Sequence, residues 1–306
     1  MARRLRIQFP GARYHVLNRG NYRRPVFASA GATQAFEKAL GQACGLFRWQ
    51  VYASVVLSNH FHLALETPEA NLVEGMHWLQ TTFATRFNRF RREHGHLFQG
   101  RYKSLLVQDD AHLLRLADYI HLNPVRAGLV PAAELPEFRA STLWHHLHGS
   151  AQPWSVGNSL LRFSEIGAGN DAWRRYAERL VGIAQNKDGD DRMASGAYSS
   201  GWAIGTAGWR KALAREHAHA ALSPALSGTE LEELRRNLWE SELEAGLSEV
   251  GKTLADVERD AKGVPWKKNV AQRLRRLANA PYRWIAVKLN MGAISSVRAY
   301  LSGSSV

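Results

Sequence analysis

The chain has 306 residues, of which 45% are hydrophobic, so its composition is that of a folded protein with one large or two ordinary domains. Its 40 lysines and arginines outnumber 27 acidic residues, and the formal charge of +13 favours a polyanionic partner such as nucleic acid. The single cysteine excludes a disulfide framework, and the lack of a long apolar run or a secretory signal predicts a cytoplasmic protein with no membrane partner.

Strand and helix patterns alternate through the first part of the chain. They predict strands at 13–20, 50–58, 60–67 and 101–108, and helices at 30–47, 72–93 and 111–123, the last interrupted by Pro124. This order predicts an α+β domain of residues 1–150, a ferredoxin-like antiparallel sheet with helices on one face. In the second helix, Phe83, Phe87 and Phe90 recur at helical spacing and are expected in the core.

The stretch LSNHFHLALE carries two histidines within a predicted strand. Because side chains alternate between the faces of a strand, His60 and His62 point to one face and Phe61 to the other. Two imidazoles on one face could hold a metal ion, but the same pattern also occurs at a polar sheet edge. The spacing alone therefore leaves both interpretations open.

A later helix carries LLRLADYIHLNPVRAG. Leu113, Leu116, Ala117 and Ile120 form its apolar stripe, whereas Tyr119 lies off that stripe, one helical turn before Asn123. A tyrosine on a polar flank beside an amide could act as a nucleophile. It could equally be an amphipathic residue at the edge of the core.

Four motifs in combination resemble those of one family. The strand-borne HFH, the helical DYIHLNPVRAG, the opening FPGARYHVLNRGNYRRPVF and the intervening FQGRYKS are similar to the single-tyrosine transposases of the HUH endonuclease superfamily. Within that superfamily the chain looks most like the REP-associated tyrosine transposases. The resemblance covers roughly residues 6–130.

The resemblance implies a catalytic domain that binds single-stranded DNA next to a hairpin and cleaves it with a divalent metal, Mg²⁺ or Mn²⁺. His60 and His62 would be metal ligands, Asn123 the third ligand, and Tyr119 the nucleophile that forms a 5′-phosphotyrosine. Related enzymes have other polar residues at the position of Asn123. A phenol attacks poorly at neutral pH unless a nearby cation stabilises the developing charge, which agrees with a metal beside Tyr119.

Basic residues near these motifs are candidate DNA contacts. Phosphates or extruded bases could be bound by Arg19, Arg23, Arg24, Arg101 and Lys103. Solvated surface charge explains each of these residues individually as well.

The C-terminal part reads as a separate region. We predict a mixed segment and linker at 151–201 and a helical DNA-binding domain at 202–306, with a helix-turn-helix at about 281–303. Its second helix would present Ser295, Ser296 and Arg298 to a duplex major groove. The acid-free sequence after Asp260 favours this interpretation, although helical hairpins with a glycine turn also occur in proteins that bind no DNA.

Three functional hypotheses follow. The first is a transposase, a DNA nuclease and strand transferase that acts through Tyr119, on dispersed short repeats or on its own element. The second is a sequence-specific DNA-binding regulator on the same fold without catalysis, and the third is a metal-dependent phosphoesterase in which water attacks and Tyr119 is structural.

Two other enzyme classes are disfavoured. A zinc deaminase is disfavoured because its His-x-Glu and paired-cysteine ligands are absent. A histidine-triad hydrolase is disfavoured because the next residue after His62 on that strand face is Ala64. The sequence predicts no particular oligomeric state.

Overall fold

The computed structural model describes residues 3–164, 166–167, 169–186 and 195–302. Its strands are β1 Arg3–Arg4, β2 Ala12–Arg19, β3 Gln50–Val56, β4 His60–Thr67, β5 Lys103–Val107, β6 Ala203–Ile204 and β7 Leu226–Ser227. The first group of helices comprises α1 Ala30–Phe47, α2 Leu72–Arg91, α3 Asp110–Arg126, α4 Thr142–Leu147, α5 Asn158–Arg162, α6 Ala172–Gln185 and α7 Ser195–Ser199. The second group comprises α8 Ala207–Glu216, α9 Ala218–Leu222, α10 Thr229–Glu249, α11 Leu254–Arg259, α12 Pro265–Ala278, α13 Tyr282–Lys288 and α14 Ile294–Ser302. Two short 3₁₀ helices span Asn21–Arg23 and Ala132–Glu137.

The chain divides into two compact units, Arg6–Gly205 and Met1–Leu5 together with Thr206–Val306. Where we predict a mixed segment followed by a linker, the structure has helices α5 and α6 within the first unit. Leu160 of α5 joins the core between α3 and the sheet, and Tyr176 of α6 packs with Leu122 of α3, so both helices are held by apolar burial. The centre of the predicted linker, 187–194, lies outside the described residues.

The large unit is built on a five-stranded sheet in the order β3-β4-β2-β5-β6. Strands β3, β4, β2 and β5 pair antiparallel, in the ferredoxin-like arrangement that we predicted. The two-residue β6 adds a parallel edge to β5, which strand patterns could not indicate because the segment is so short. The predicted α+β class is therefore confirmed.

The two faces of the sheet are covered by different helices. On one face, Phe61 of β4 contacts Phe36 of α1 and meets Phe98 and Phe27 in an aromatic cluster. On the other face, the apolar stripe of α3 packs on Ala53, Val55 and Ala64. Helices α1 and α2 thus occupy one face as predicted, and α3 additionally covers the face that carries His60 and His62.

Two helix features differ from the prediction. Helix α3 continues through Pro124 to Arg126, although a proline has no N–H to donate to the carbonyl of the residue four positions earlier. In α2, Phe83 is buried and Phe87 is partly buried, but Phe90 is 86% exposed. Phe90 lies about 10 Å along the helix from Phe83, so it extends beyond the aromatic cluster despite sharing its face.

The second unit is helical and has its own core. Ile285, Leu289 and Val297 are buried, and Trp284 and Leu301 pack against them as partly buried residues. Five residues, 289–293, connect α13 to α14; the predicted end at Gly303 lies outside the described residues. No helix within the described ranges is long and apolar enough to cross a membrane.

Candidate active site

The strand histidines lie on the face of the sheet that α3 covers. Strand β4 pairs antiparallel with β2, so that His62 lies opposite Leu17 and His60 opposite Arg19. The ring centroids of His60 and His62 are 5.1 Å apart. His62 is buried and His60 is partly exposed, so the pair lies at the inner end and the mouth of one cleft.

Each of these imidazoles is held by a hydrogen bond at Nδ1. His60 Nδ1 lies 2.6 Å from Oδ1 of Asn59, and His62 Nδ1 lies 2.8 Å from Nε2 of His15. Burial lowers the pKa of His60 to about 4, with a further contribution from Arg19. Burial also lowers the pKa of His62 well below its ordinary value, and it lowers that of His15 to about 4. All three rings are therefore neutral at pH 7, the state in which an imidazole can bind a metal.

Helix α3 carries Tyr119 to the same cleft. Asp109 caps the helix by accepting from the backbone N–H of His112, and the apolar stripe orients the helix on the sheet. The Tyr119 ring centroid lies 5.9 Å from that of His62, in an edge-on arrangement. Tyr198, from a distant part of the chain, stacks on Tyr119 at 4.8 Å.

The Tyr119 phenol is protonated at neutral pH. Burial raises its pKa above the ordinary value, while Arg126, Asn123 and Ser199 act in the opposite direction. The guanidinium of Arg126 lies 5.4 Å from the centre of the Tyr119 ring. A phenol in this setting needs additional positive charge nearby to react as a nucleophile.

Asn123 lies one turn after Tyr119 and is buried. Its Nδ2 donates to the backbone carbonyl of Tyr119 at 2.7 Å. This hydrogen bond uses the amide nitrogen and leaves the amide oxygen as the atom that a cation would bind. Amide oxygens suit Mg²⁺ and Mn²⁺.

The cleft between these elements has a volume of about 450 Å³. Seven predicted residues are among those that line it: Arg19, His60, His62, Arg101, Lys103, Tyr119 and Asn123. Arg126 and Ser199 also line it, and none of the described lining residues is acidic. The positive charge suits an anionic ligand such as a phosphodiester.

The cleft residues supply only some of the ligands that a divalent cation needs. No group of three His, Cys, Asp or Glu side chains suited to a metal occurs within the described part of the chain. Two neutral imidazoles and one amide oxygen are nevertheless suitable ligands, with waters or phosphate oxygens as the remainder. A cleft without carboxylates would bind the cation most strongly together with an anionic substrate, because the substrate neutralises the surrounding basic residues.

Two predicted DNA contacts lie outside the cleft lining. Arg24 forms an ion pair with Glu93 at 2.5 Å, and Arg23 belongs to an exposed turn in which its φ is 58°. Ser295, Ser296 and Arg298 belong to the other compact unit. The structure thus brings together the residues of the HFH, GRYKS and tyrosine-helix motifs but not every predicted contact.

Sequence reasoning missed four residues of this site: His15, Arg126, Tyr198 and Ser199. His15 could have been found, because strand β2 alternates and its pairing with β4 brings His15 diagonal to His62. Tyr198 and Ser199 follow a polar segment and carry no local signal of a contact with Tyr119.

Comparisons with known proteins agree with the motifs. Residues 8–123 match the family model described as IS200-like transposase, which confirms the resemblance over that part of the chain. A curated Haemophilus influenzae protein with the provisional name REP-associated tyrosine transposase is 33% identical over 107 residues. That alignment covers 31% of this chain and 60% of the relative. A solved structure described as a REP-associated tyrosine transposase bound to a REP hairpin aligns with a TM-score of 0.42 and 19% identity, over 50% of this chain and 89% of that one.

Proposed function

We propose that this chain, whose residues 8–123 match the family of IS200-like transposases, is a metal-dependent endonuclease and strand transferase for single-stranded DNA. The observation that carries the proposal is the convergence of Tyr119, His60 and His62 in one cleft lined by basic side chains. A phosphoryl-transfer site needs a nucleophile, positive charge around the phosphate and ligands for a cation. All three requirements correspond to residues of this cleft.

His60, His62 and Asn123 would hold the divalent cation, Mg²⁺ or Mn²⁺. When bound, this cation supplies positive charge at the scissile phosphate. The neutral state of the two histidines supports this role, because a protonated ring could not bind a metal.

Tyr119 would attack the phosphorus atom through its phenolic oxygen. The bond from phosphorus to the 3′ oxygen breaks, the phenolic proton leaves to water, and the leaving oxygen is protonated to a free 3′-hydroxyl. The downstream strand remains attached as a 5′-phosphotyrosine. Because the phosphodiester energy is retained in the new bond, a 3′-hydroxyl of the same or another strand can reverse the step and complete strand transfer.

Arg19 and Arg101 are suited to bind the substrate backbone at this cleft, since both are exposed and line it. Lys103 donates to the backbone carbonyl of Ser199 at 2.7 Å, so it also orders the site. The relative with the solved structure is described as bound to a REP hairpin. A hairpin flanked by single-stranded DNA is therefore the substrate class that we propose here as well.

The helical unit is proposed to bind duplex DNA. Ser295 and Arg298 are exposed on α14, and Ser296 is partly exposed there. Several of the nearby basic residues have structural roles instead. Arg273 pairs with Glu242 and Glu249, and buried Lys267 donates to two backbone carbonyls. The exposed face of α14 is thus the part of this acid-free segment that suits a DNA groove.

The first experiment uses full-length protein, Mn²⁺ and hairpin-containing oligonucleotides labelled at their 3′ end. A 5′-phosphotyrosine retains the 3′-labelled fragment, so wild-type protein should become labelled in a denaturing gel. Tyr119→Phe should show neither adduct nor cleavage but should still bind DNA. Tyr198→Phe is the matched control: it removes only the hydroxyl of the ring that stacks on Tyr119, and it should retain the adduct.

Other outcomes select the remaining hypotheses. Cleavage by both wild type and Tyr119→Phe without an adduct would indicate attack by water. DNA binding without cleavage by any variant would indicate the non-catalytic regulator. An adduct lost in Tyr198→Phe and kept in Tyr119→Phe would contradict the assignment of the nucleophile.

A further inference from the structure

We propose that His15 is a positioning residue that, anchored by the backbone carbonyl of Tyr198, holds His62 as the Nδ1–H tautomer and leaves Nε2 of His62 as the metal-binding atom. The tautomer assignment stands on hydrogen-bond geometry and on the burial of the two rings. Its use for metal binding rests on the proposed function.

The three groups form one continuous hydrogen-bonded chain. His15 Nδ1 lies 2.6 Å from the carbonyl oxygen of Tyr198, and His15 Nε2 lies 2.8 Å from Nδ1 of His62. The two rings are nearly parallel, with centroids 5.1 Å apart and an interplanar angle of 20°. His15 is 0% exposed, so water cannot replace either partner.

The direction of each hydrogen bond in this chain follows from its acceptor at one end, the carbonyl oxygen of Tyr198. A carbonyl oxygen can only accept, so His15 Nδ1 must carry the proton. A fully buried imidazole whose described hydrogen-bond partners include no carboxylate remains neutral, so its Nε2 carries the lone pair. His62 Nδ1 must then donate to that lone pair. Nε2 of the neutral His62 ring is consequently unprotonated.

His60 is held as the same Nδ1–H tautomer by a single neighbouring side chain, that of Asn59. Its Nδ1 lies 2.6 Å from Oδ1 of Asn59, and the amide nitrogen of Asn59 donates to the carbonyl of Arg23. The amide orientation is therefore determined by a second partner, and the oxygen accepts from His60 Nδ1. Both strand histidines thus present the same nitrogen as a ligand atom, one oriented by a neighbouring amide and the other by His15.

Tyr198 links the histidine chain to the nucleophile. Its carbonyl accepts from His15 while its ring stacks on Tyr119 at 4.8 Å with an interplanar angle of 19°. The next residue, Ser199, is held through its own carbonyl by Lys103. Residues beyond the 8–123 family match therefore orient both a proposed metal ligand and the proposed nucleophile.

A buried histidine can also be a satisfied core residue with no effect on its neighbours. The two roles predict different results for a pair of variants. His15→Phe fills the space but accepts no hydrogen bond from His62. His15→Gln can donate to the Tyr198 carbonyl and accept from His62, so it should preserve the tautomer.

The experiment is a long-range ¹H–¹⁵N correlation spectrum of histidine-labelled, full-length protein without metal or DNA. Spectra of His15 and His62 variants assign the two rings, and the spectrum distinguishes a protonated from an unprotonated ring nitrogen directly. We expect protonated Nδ1 and unprotonated Nε2 for both rings in wild type. We expect His62 to lose this state in His15→Phe and to keep it in His15→Gln.

Mn²⁺ binding, followed by the electron paramagnetic resonance signal of the free ion, gives the second measurement. His15→Phe should weaken binding by about 10- to 100-fold, the usual effect of removing a hydrogen-bond partner of a metal-ligating histidine. His15→Gln should remain within a few-fold of wild type. The exposed His77→Gln is the control and should change neither the tautomer nor the affinity.

The inference is overturned if wild-type His62 carries its proton on Nε2. It is also overturned if His15→Phe leaves both the His62 tautomer and the Mn²⁺ affinity unchanged. If His15→Phe fails to fold, the wild-type spectrum and His15→Gln still decide the outcome. Wild-type protein with the expected tautomer that binds no Mn²⁺ would contradict the proposed metal dependence rather than the tautomer assignment.

Discussion

Buried polar side chains on the side of α3 that contacts α4 and α6 hold this helix, which carries Tyr119, in place. His121 lies between the hydroxyl of Tyr176 at 3.0 Å and Oγ1 of Thr142 at 2.9 Å. The neighbouring Asp118 accepts from the guanidinium of Arg179, which lies on α6. These contacts connect α3 to α4 and α6, beyond the segment that matches the transposase family. The position of the proposed nucleophile therefore depends on residues outside that segment.

His121 should make the protein less stable in acid. Burial lowers its pKa to about 3, whereas the unfolded chain takes up the proton near the ordinary value of 6.5. The free energy of unfolding should thus fall as the pH decreases from 6.5 toward 3, by at most about 1.4 kcal/mol per pH unit for this residue. Urea unfolding of wild type and His121→Gln between pH 7.5 and pH 5 measures this slope.

His121→Gln should show the smaller slope, because glutamine takes up no proton. The matched control is His94→Gln, at an exposed position after α2, which should keep the wild-type slope. Equal slopes for His121→Gln and wild type would mean that His121 does not contribute to the acid sensitivity.

The packing of α2 near α1 depends on close contact at a glycine. A Cβ added at Gly75 would lie 2.1 Å from Cζ2 of Trp49, closer than any real contact. The indole of Trp49 is also fixed by a hydrogen bond from Nε1 to Oδ1 of Asn71, the residue before α2, at 2.9 Å. The tryptophan therefore has little freedom to move away.

Gly75→Ala should destabilise the protein by about 1–3 kcal/mol, the usual cost of overpacking a core contact. Gly45→Ala is the control, because Gly45 lies in α1 with nothing within 4 Å of an added Cβ. There alanine should stabilise the helix by up to about 1 kcal/mol. Thermal or urea unfolding distinguishes the two, and a neutral Gly75→Ala would contradict the tight fit of Trp49.

The net charge of +13 is shared between two compact units that we propose bind different forms of DNA. Arg19 and Arg101 belong to the cleft of the sheet unit, and Arg298 belongs to α14 of the helical unit. Each contact between a basic side chain and a phosphate releases counterions. The number of such contacts can therefore be obtained from the slope of log affinity against log salt concentration. The composition alone could predict a nucleic-acid partner but not this division.

The Arg19→Gln/Arg101→Gln double variant should lower the slope of log affinity against log salt for oligothymidylate by about 1.4, or about 0.7 for each lost contact. Its slope for a blunt duplex should be unchanged. Arg298→Gln should show the converse, a slope lower by about 0.9 for the duplex alone. Fluorescence anisotropy of full-length variants measures both, and equal changes with both ligands would indicate one shared DNA surface.

Local periodicity in the sequence was enough to predict several features of the fold and of the candidate site. The alternation of β4 assigned His60 and His62 to one face, and one turn of helix made Tyr119 and Asn123 neighbours, because these relations involve only adjacent backbone geometry. The order of strands and helices likewise predicted the ferredoxin-like sheet. Packing between distant elements, in contrast, sets which face α3 covers, exposes Phe90 and includes α5 and α6 in the large unit. The same packing brings together His15, His62 and Tyr198. These residues lie on β2, β4 and α7, which are too far apart in sequence for any local pattern to indicate their contacts.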